Sequence, residues 1–241
     1  MIEINCDLGE NIEALNSGLD FELMEFVDVI NVACGGHAGD AHIMTEIVKK
    51  AGMKGLKIGA HPGFEDKANF GRKNMELSKK AVFDLVKKQV LTLQEVVENQ
   101  GLVVNHVKPH GALYNMAANR VDYSEAICEA LLSINPKLKL FTLSGSLSVS
   151  IAQNMGLTVC QEGFADRTYL SDGNLSPRHI KGAVIESEEK LKKQILLLKN
   201  ESSVISLTGQ KIKLNVDTLC IHGDTPNALE FAKVIWQTLK N

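Results

Sequence analysis

Acidic, basic and imidazole side chains recur in this sequence where short β-branched runs give way to loops. Asp7 closes the first run, His37 follows the second, His61 closes the third, Lys108 and His110 follow the fourth, and Glu162 and His222 end two later ones. Imidazoles and a carboxylate can converge on one borderline cation, so Asp7, His37 and His61 are a candidate ligand set for a metal such as Zn²⁺. The same residues also suit a metal-free hydrogen-bond network in which the histidines act as acid, base or donor. Lys108-Pro109-His110-Gly111 sets a cation and an imidazole at a rigid turn. Lys108 could bind an oxyanion or phosphate, or could form an ion pair within a barrel mouth. Glu162-Gly163-Phe164-Ala165-Asp166-Arg167 brings two carboxylates and a guanidinium close together, which suits acid/base work with a clamp for an anionic substrate, or a structural salt bridge. His42 reads as a helix-surface residue, and His179, in an irregular segment, reads equally as site or surface.

The elements that must carry these residues alternate along the chain. Apolar β-branched runs at 2–7, 28–34, 56–61, 102–108, 138–143, 157–162 and 217–222 are separated by longer amphipathic stretches, the pattern of a parallel sheet with helical crossovers. Val82, Val86, Val90, Leu93 and Val97 share one helical face, with Ser78 placed to cap its start and Gly101 to end it. Ile43, Ile47, Val48 and Ala51 form a second stripe after Asp40, and Leu191, Ile195 and Leu198 a third after Ser187. Weaker patterns predict helices at 146–155 and 226–239. The expected architecture is an α/β fold, a distorted seven-stranded (β/α) TIM-like barrel spanning 1–241 as one domain. A hairpin at 203–215, turning at Gly209, makes an excursion outside it. Active sites of such barrels sit at the carboxyl ends of the strands, where the polar residues fall here. Alternation pairs Asn5 with Asp7, His106 with Lys108 and Cys220 with His222 on one face, which predicts Cys220 inside the barrel and Cys6 outside it.

Composition narrows the function classes. The chain has 241 residues, 44% of them hydrophobic, enough for one large core, and a formal net charge of −3 without a basic stripe, which argues against nucleic acid as a partner. There is no signal-peptide pattern and no apolar run of membrane-spanning length, so neither export nor membrane insertion is expected. Five cysteines without a C-x-x-C pair suit a reducing cytoplasm better than a disulfide framework. Neither G-x-x-x-x-G-K-[ST] nor G-x-G-x-x-G occurs, so no nucleotide-binding loop is recognisable.

Read as whole motifs, Asn5-Cys6-Asp7-Leu8-Gly9-Glu10, 31–40 around Cys34-Gly35-Gly36-His37, Ile58-Gly59-Ala60-His61-Pro62, 107–114 around Lys108-Pro109-His110-Gly111, Phe164-Ala165-Asp166-Arg167 and His222-Gly223-Asp224-Thr225-Pro226 resemble those of the LamB/YcsF family. Six motifs in the family's order cover nearly the whole chain. The resemblance implies a barrel related to sugar-deacetylase folds, working as the A subunit of a bacterial ATP-dependent 5-oxoprolinase. With subunits B and C it would convert 5-oxoproline, ATP and water into glutamate, ADP and phosphate. ATP, as co-substrate, would be bound mainly by those partners. They would phosphorylate the lactam oxygen, and this barrel would add water to the activated carbon and expel phosphate. On that reading Asp7, His37 and His61 hold a metal or polarised water. Lys108, Arg72 and Arg167 bind phosphate or carboxylate, with Asn5, Glu162 and Asp224 as further contacts, and His110, Asp166 and His222 move protons. Two positions depart from the family's pattern: Gly36, where an aromatic residue is usual and whose absence is expected to widen the pocket, and Lys73, where arginine is usual. Two rival readings remain at this point, a stand-alone metal-dependent deacetylase or amidohydrolase and a non-catalytic binding subunit of a lactam-utilisation complex.

Overall fold

A computed structural model describes residues 2–223 and 227–240. Seven parallel strands close into a barrel in the order β1 (Glu3–Leu8), β2 (Val29–Ala33), β3 (Lys57–His61), β4 (Val104–Val107), β5 (Lys139–Leu143), β6 (Thr158–Phe164) and β9 (Thr218–His222), with β9 joining β6 back to β1. The seven-stranded α/β barrel read from the sequence is therefore present. Its distortion has visible causes. β4 meets β5 over only His106↔Lys139 and Val107↔Leu140, and between β3 and β4 the register jumps from Ile58↔Val104 to Gly59↔His106, so Asn105 is an extra residue on β4.

Helices clothe the outside. α3 (Ala41–Lys54) starts where the Asp40 carboxylate accepts the Ile43 amide at 2.9 Å, and α4 (Lys79–Glu98) where Ser78 Oγ accepts the Ala81 amide at 3.2 Å. Past α4, Gly101 at φ +72° turns the chain so that the Leu102 amide reaches the Val97 carbonyl at 3.1 Å. The stripe Val82, Val86, Val90, Leu93 and Val97 is buried, each side chain contributing roughly 1.5–3 kcal/mol of burial. Ser187 stands at the start of α8 (Glu188–Glu201), but its hydroxyl makes no capping bond; Glu188 and Glu189 in the first turn suit the helix dipole instead. α7 (Leu147–Asn154) and α9 (Ala228–Lys240) occupy the two weakly patterned segments, and Pro226 lies outside the described residues.

Four helices do not announce themselves as apolar stripes: α1 (Ile12–Ser17), α2 (Leu19–Leu23), α5 (Gly111–Ala117) and α6 (Val121–Ile134). The first three span fewer than three turns. α6 packs between α4 and α7 and buries Tyr123, Ser124, Ala126, Ile127, Cys128, Ala130 and Leu131, so its apolar surface is too wide to read as one stripe. Outside the barrel, β7 (Ser203–Ile205) and β8 (Lys211–Lys213) pair antiparallel, and the Leu207 amide donates to the Tyr169 carbonyl at 2.8 Å, tying this ribbon to the segment after β6. No helix among the described residues is long and apolar enough to cross a membrane, and all five cysteines are buried free thiols.

Candidate active site at the carboxyl end of the barrel

The inward faces of β1, β2, β4 and β9 carry polar residues that satisfy one another in a fully buried floor. Asn5 Nδ2 donates to Thr218 Oγ1 at 2.8 Å, and Asn31 Nδ2 donates to Asn5 Oδ1 and to Asp7 Oδ1, both at 2.8 Å. His106 Nε2 lies 2.7 Å from Asn31 Oδ1, an acceptor, so that nitrogen carries the proton. Asn5 is 0% exposed and serves this floor rather than the open mouth. Asn31 and His106 receive no role from the sequence. Their inward-facing positions on β2 and β4, next to Asp7 and Lys108, are the available signal.

Above the floor, Lys108 is encircled. Its Nζ lies 2.8 Å from Asp7 Oδ1, 2.9 Å from Glu162 Oε1, 3.2 Å from Asn5 Oδ1 and 3.0 Å from Cys220 Sγ. Of its two sequence readings, the ion pair is what the structure contains. Burial alone would lower the Lys108 pKa, but Asp7, Cys220 and Glu162 outweigh it and hold the ammonium well above its ordinary range. Burial likewise opposes ionisation of Asp7, yet the Lys108 ammonium at 2.8 Å holds that carboxyl below the usual carboxylate range. Cys220 lies inside the barrel, its thiol pushed well up by burial, and Cys6 lies on the outer side near Leu23.

One side of the mouth gathers imidazoles. His61 ends β3, His37 follows β2, His110 stands just before α5 without capping it, and Glu10 follows β1. Glu10 Oε1 stands 2.8 Å from His37 Nε2, 3.0 Å from His110 Nδ1 and 3.6 Å from His61 Nε2, and the His37 and His110 rings stack with centroids 3.6 Å apart. Gly71 makes this packing possible. Its φ is +61°, and a Cβ there would stand 2.7 Å from His37 Cβ. Glu10, which closes the first motif, receives no role from the sequence, since it lies three residues beyond the acidic residue that ends the strand. Asp7 Oδ2 is 3.4 Å from His61 Nε2, while its Oδ1 is engaged by Lys108 and Asn31.

On the opposite side, Asp166 Oδ2 accepts from His222 Nδ1 at 2.9 Å, and the His222 ring stacks on Phe164. Burial would raise the Asp166 pKa, but the adjacent His222 and its hydrogen bond lower it. A carboxylate holding Nδ1–H makes Nε2 the basic nitrogen, the arrangement of an oriented general base. Arg167 turns away. Its guanidinium donates to the carbonyls of Ser176 at 2.5 Å and Ala183 at 3.4 Å, closing the 168–184 loop on itself, and burial lowers its pKa to about 10.

A cavity of about 610 Å³ lies against Asp7 and Glu10 and is walled further by Asp20, Phe70, Arg72 and Gly223. Arg72 is exposed there, its guanidinium 4.8 Å from the Phe70 ring centroid. Asp224 lies outside the described residues. Gly36 does not widen this cavity, because a Cβ on it would meet the Gln89 amide at 2.5 Å; the buried Gln89, bonded to both backbone groups of Gly63, fills that space. Lys73 and His42 are exposed, and His179 is exposed in a separate cavity beside α8 and the outer ribbon.

Comparison with known proteins agrees with this architecture. The chain is 45% identical over 239 residues to a Clostridium beijerinckii protein named as the A subunit of 5-oxoprolinase, covering 99% of this chain and 94% of that one. A Bacillus subtilis protein of the same name is also 45% identical, over 99% of this chain and 93% of its own length. Among solved structures, a lactam utilization protein from Thermus thermophilus superposes with a TM-score of 0.91 at 37% identity, covering 99% of this chain and 96% of the other. Residues 2–241 match the LamB/YcsF family, and with relatives this similar over almost the whole length, the chain belongs to that family.

Proposed function

We propose that this chain is the A subunit of an ATP-dependent 5-oxoprolinase, a cytoplasmic enzyme that opens the lactam of 5-oxoproline to L-glutamate with partner subunits B and C. The observation that carries the reading is the near-full-length identity of 45% with proteins of that name. The chemistry of the mouth is compatible with it. A five-membered lactam is an unstrained, resonance-stabilised amide, so its carbonyl carbon must be activated before water attacks at a useful rate. Phosphorylation of the carbonyl oxygen by the partner subunits, which would bind the ATP, supplies that activation.

The order of bond breaking is then constrained. Water adds to the phosphorylated carbon, and the C–N bond must break before the C–O bond to phosphate, since expelling phosphate first regenerates the lactam. The ring nitrogen leaves as an amine, and hydrolysis of the remaining acyl phosphate gives glutamate and phosphate. His222, oriented by Asp166, takes a proton from the attacking water and returns one to the leaving nitrogen. Arg72, exposed in the cavity, binds the phosphate or the substrate carboxylate. Lys108 keeps Asp7 ionised and the mouth's charge fixed, while Asn5, Glu162 and Arg167 support from behind.

The test is glutamate release from 5-oxoproline and ATP by this chain alone, by the partner subunits alone, and by the mixture. Turnover is expected only from the mixture. Efficient ATP-dependent turnover by this chain alone would overturn the division of labour, and amide hydrolysis without ATP would favour a deacetylase-like enzyme.

A further inference from the structure

The four side chains on the imidazole side pose a question of hydrogen positions. His61 Nδ1 lies 2.7 Å from the Lys108 carbonyl, and His110 Nε2 lies 2.9 Å from the Phe70 carbonyl. A carbonyl oxygen only accepts, so these two nitrogens carry the protons. In neutral rings the other nitrogens, His61 Nε2 and His110 Nδ1, then present lone pairs. Yet those two atoms face each other at 2.9 Å, and Glu10 Oε1 stands 3.6 and 3.0 Å from them. Two lone pairs and a carboxylate oxygen at such distances repel unless a positive centre lies among them. His37 Nε2 is 2.8 Å from the same Glu10 oxygen, and all four atoms lie within 4.8 Å of one another.

We propose that Glu10, His37, His61 and His110 form a binding site for one divalent cation of the zinc class. Metal–ligand bonds of about 2.0–2.1 Å to nitrogen and oxygen place the corners of a tetrahedron roughly 3.3 Å apart. Four of the six separations, 2.8, 2.9, 3.0 and 3.6 Å, bracket that edge, and the two between His37 and the other imidazoles are within 4.8 Å. Metal-binding imidazoles are commonly oriented by a second-nitrogen bond to a carbonyl, and His61 and His110 both have one here. Their walls are tight. Phe70 stands edge-on to both His37 and His110, and a Cβ on Gly63 would come within 2.7 Å of His37 Nδ1.

This set keeps His37 and His61 from the sequence-based expectation, but takes Glu10 and His110 in place of Asp7. The reason is competition: an ammonium already occupies the carboxylate's other side, with Lys108 Nζ at 2.8 Å from Asp7 Oδ1. The same ammonium, 3.0 Å from Cys220 Sγ, disqualifies the alternative group Asp7, Cys220 and His222. The assignment does not depend on the lactam reading, and its test requires neither ATP nor partner subunits.

Protein stripped with a chelator and dialysed would be titrated with Zn²⁺ by calorimetry, its metal content measured, and the Co²⁺ form examined by visible absorption. About one ion per chain is expected, with the intense d–d bands of a tetrahedral Co²⁺ site. Glu10→Gln and His110→Ala should each weaken binding by more than the roughly 10–100-fold that loss of an outer-shell partner costs. Asp7→Asn should stay within a few-fold of the native affinity. Circular dichroism checks folding, and if His110→Ala fails to fold, the nearly isosteric Glu10→Gln carries the comparison. No stoichiometric binding, as a proton trapped between His61 and His110 would give, overturns the site. So does loss of metal on Asp7→Asn with retention in Glu10→Gln.

Discussion

At the scale of single residues, the mouth divides into groups that hold charge in place and groups that can move protons. Lys108 belongs to the first. Its ammonium neutralises two buried carboxylates, Asp7 and Glu162, which are 6% and 0% exposed. Lys108→Met keeps most of the volume but strands both carboxylates, and removing one partner of a buried pair costs about 3–5 kcal/mol. Chemical denaturation should therefore register a loss of that order. Stability within about 1 kcal/mol of native would mean that water or a rearranged partner neutralises the carboxylates, and would remove Lys108 from the scaffold role. Residue types alone allow both readings of Lys108, because whether a lysine at a strand end points out or folds inward depends on what stands across the barrel. Here Cys220 on β9 and Glu162 on β6 leave an inward seat. The same limit hides Glu10, whose meeting with three histidines from three other segments is a product of loop conformation that no local pattern carries.

At the scale of elements, the strands are legible to within a few residues, since β-branched runs in a parallel barrel are buried on both faces and stand out from the helical stripes. The irregularity between β3 and β4 is not, although it shapes the site. Where Asn105 is inserted, the His106 ring is brought directly over Gly59, so that a Cβ there would stand 2.0 Å from His106 Nε2. The ring has no room to retreat. It stacks on Phe141 at 4.0 Å and holds Asn31 on the other edge. Gly59→Ala is therefore expected to destabilise by about 1–3 kcal/mol or more, the cost of overpacking a closed core. With His106→Ala as background the clash partner is gone, and the same Gly59→Ala change should cost under about 0.5 kcal/mol. An equal cost in both backgrounds would show that the strand backbone, not the ring, demands glycine. Legibility fails for the short helices α1, α2 and α5 because each exposes too few turns to establish a period.

At the scale of the whole molecule, so many titratable groups inside one barrel make stability depend on pH in a direction that can be worked out. Burial lowers the pKa of His61 and of His106 to about 3. A depressed imidazole favours the fold above its unfolded value near 6.5, and that contribution is lost as pH falls below it. Between pH 7 and pH 5 each histidine should remove about 2 kcal/mol, together about 4. Asp20 acts in the opposite sense. Burial raises its pKa to about 6, with the Gly9 amide only partly compensating, so the fold takes up a proton there that the unfolded chain does not. Over the same interval it returns about 1 kcal/mol, leaving a net loss of about 2–3 kcal/mol from these three groups, to which His37, its pKa also lowered by burial, adds in the same direction. Asp7 and Asp166, whose pKa values are lowered, add their losses only below the unfolded carboxylate range near 4, so pH 5 isolates the histidines. Urea denaturation at both pH values, in chelator so that no metal competes with protons at His61, measures the difference. Asp20→Asn should raise stability at pH 7 and steepen the fall to pH 5 by about 1 kcal/mol, because the compensating proton is removed. A native protein equally stable at the two pH values, with Asp20→Asn parallel to it, would mean that the interior histidines reach water or a counter-charge before the fold opens.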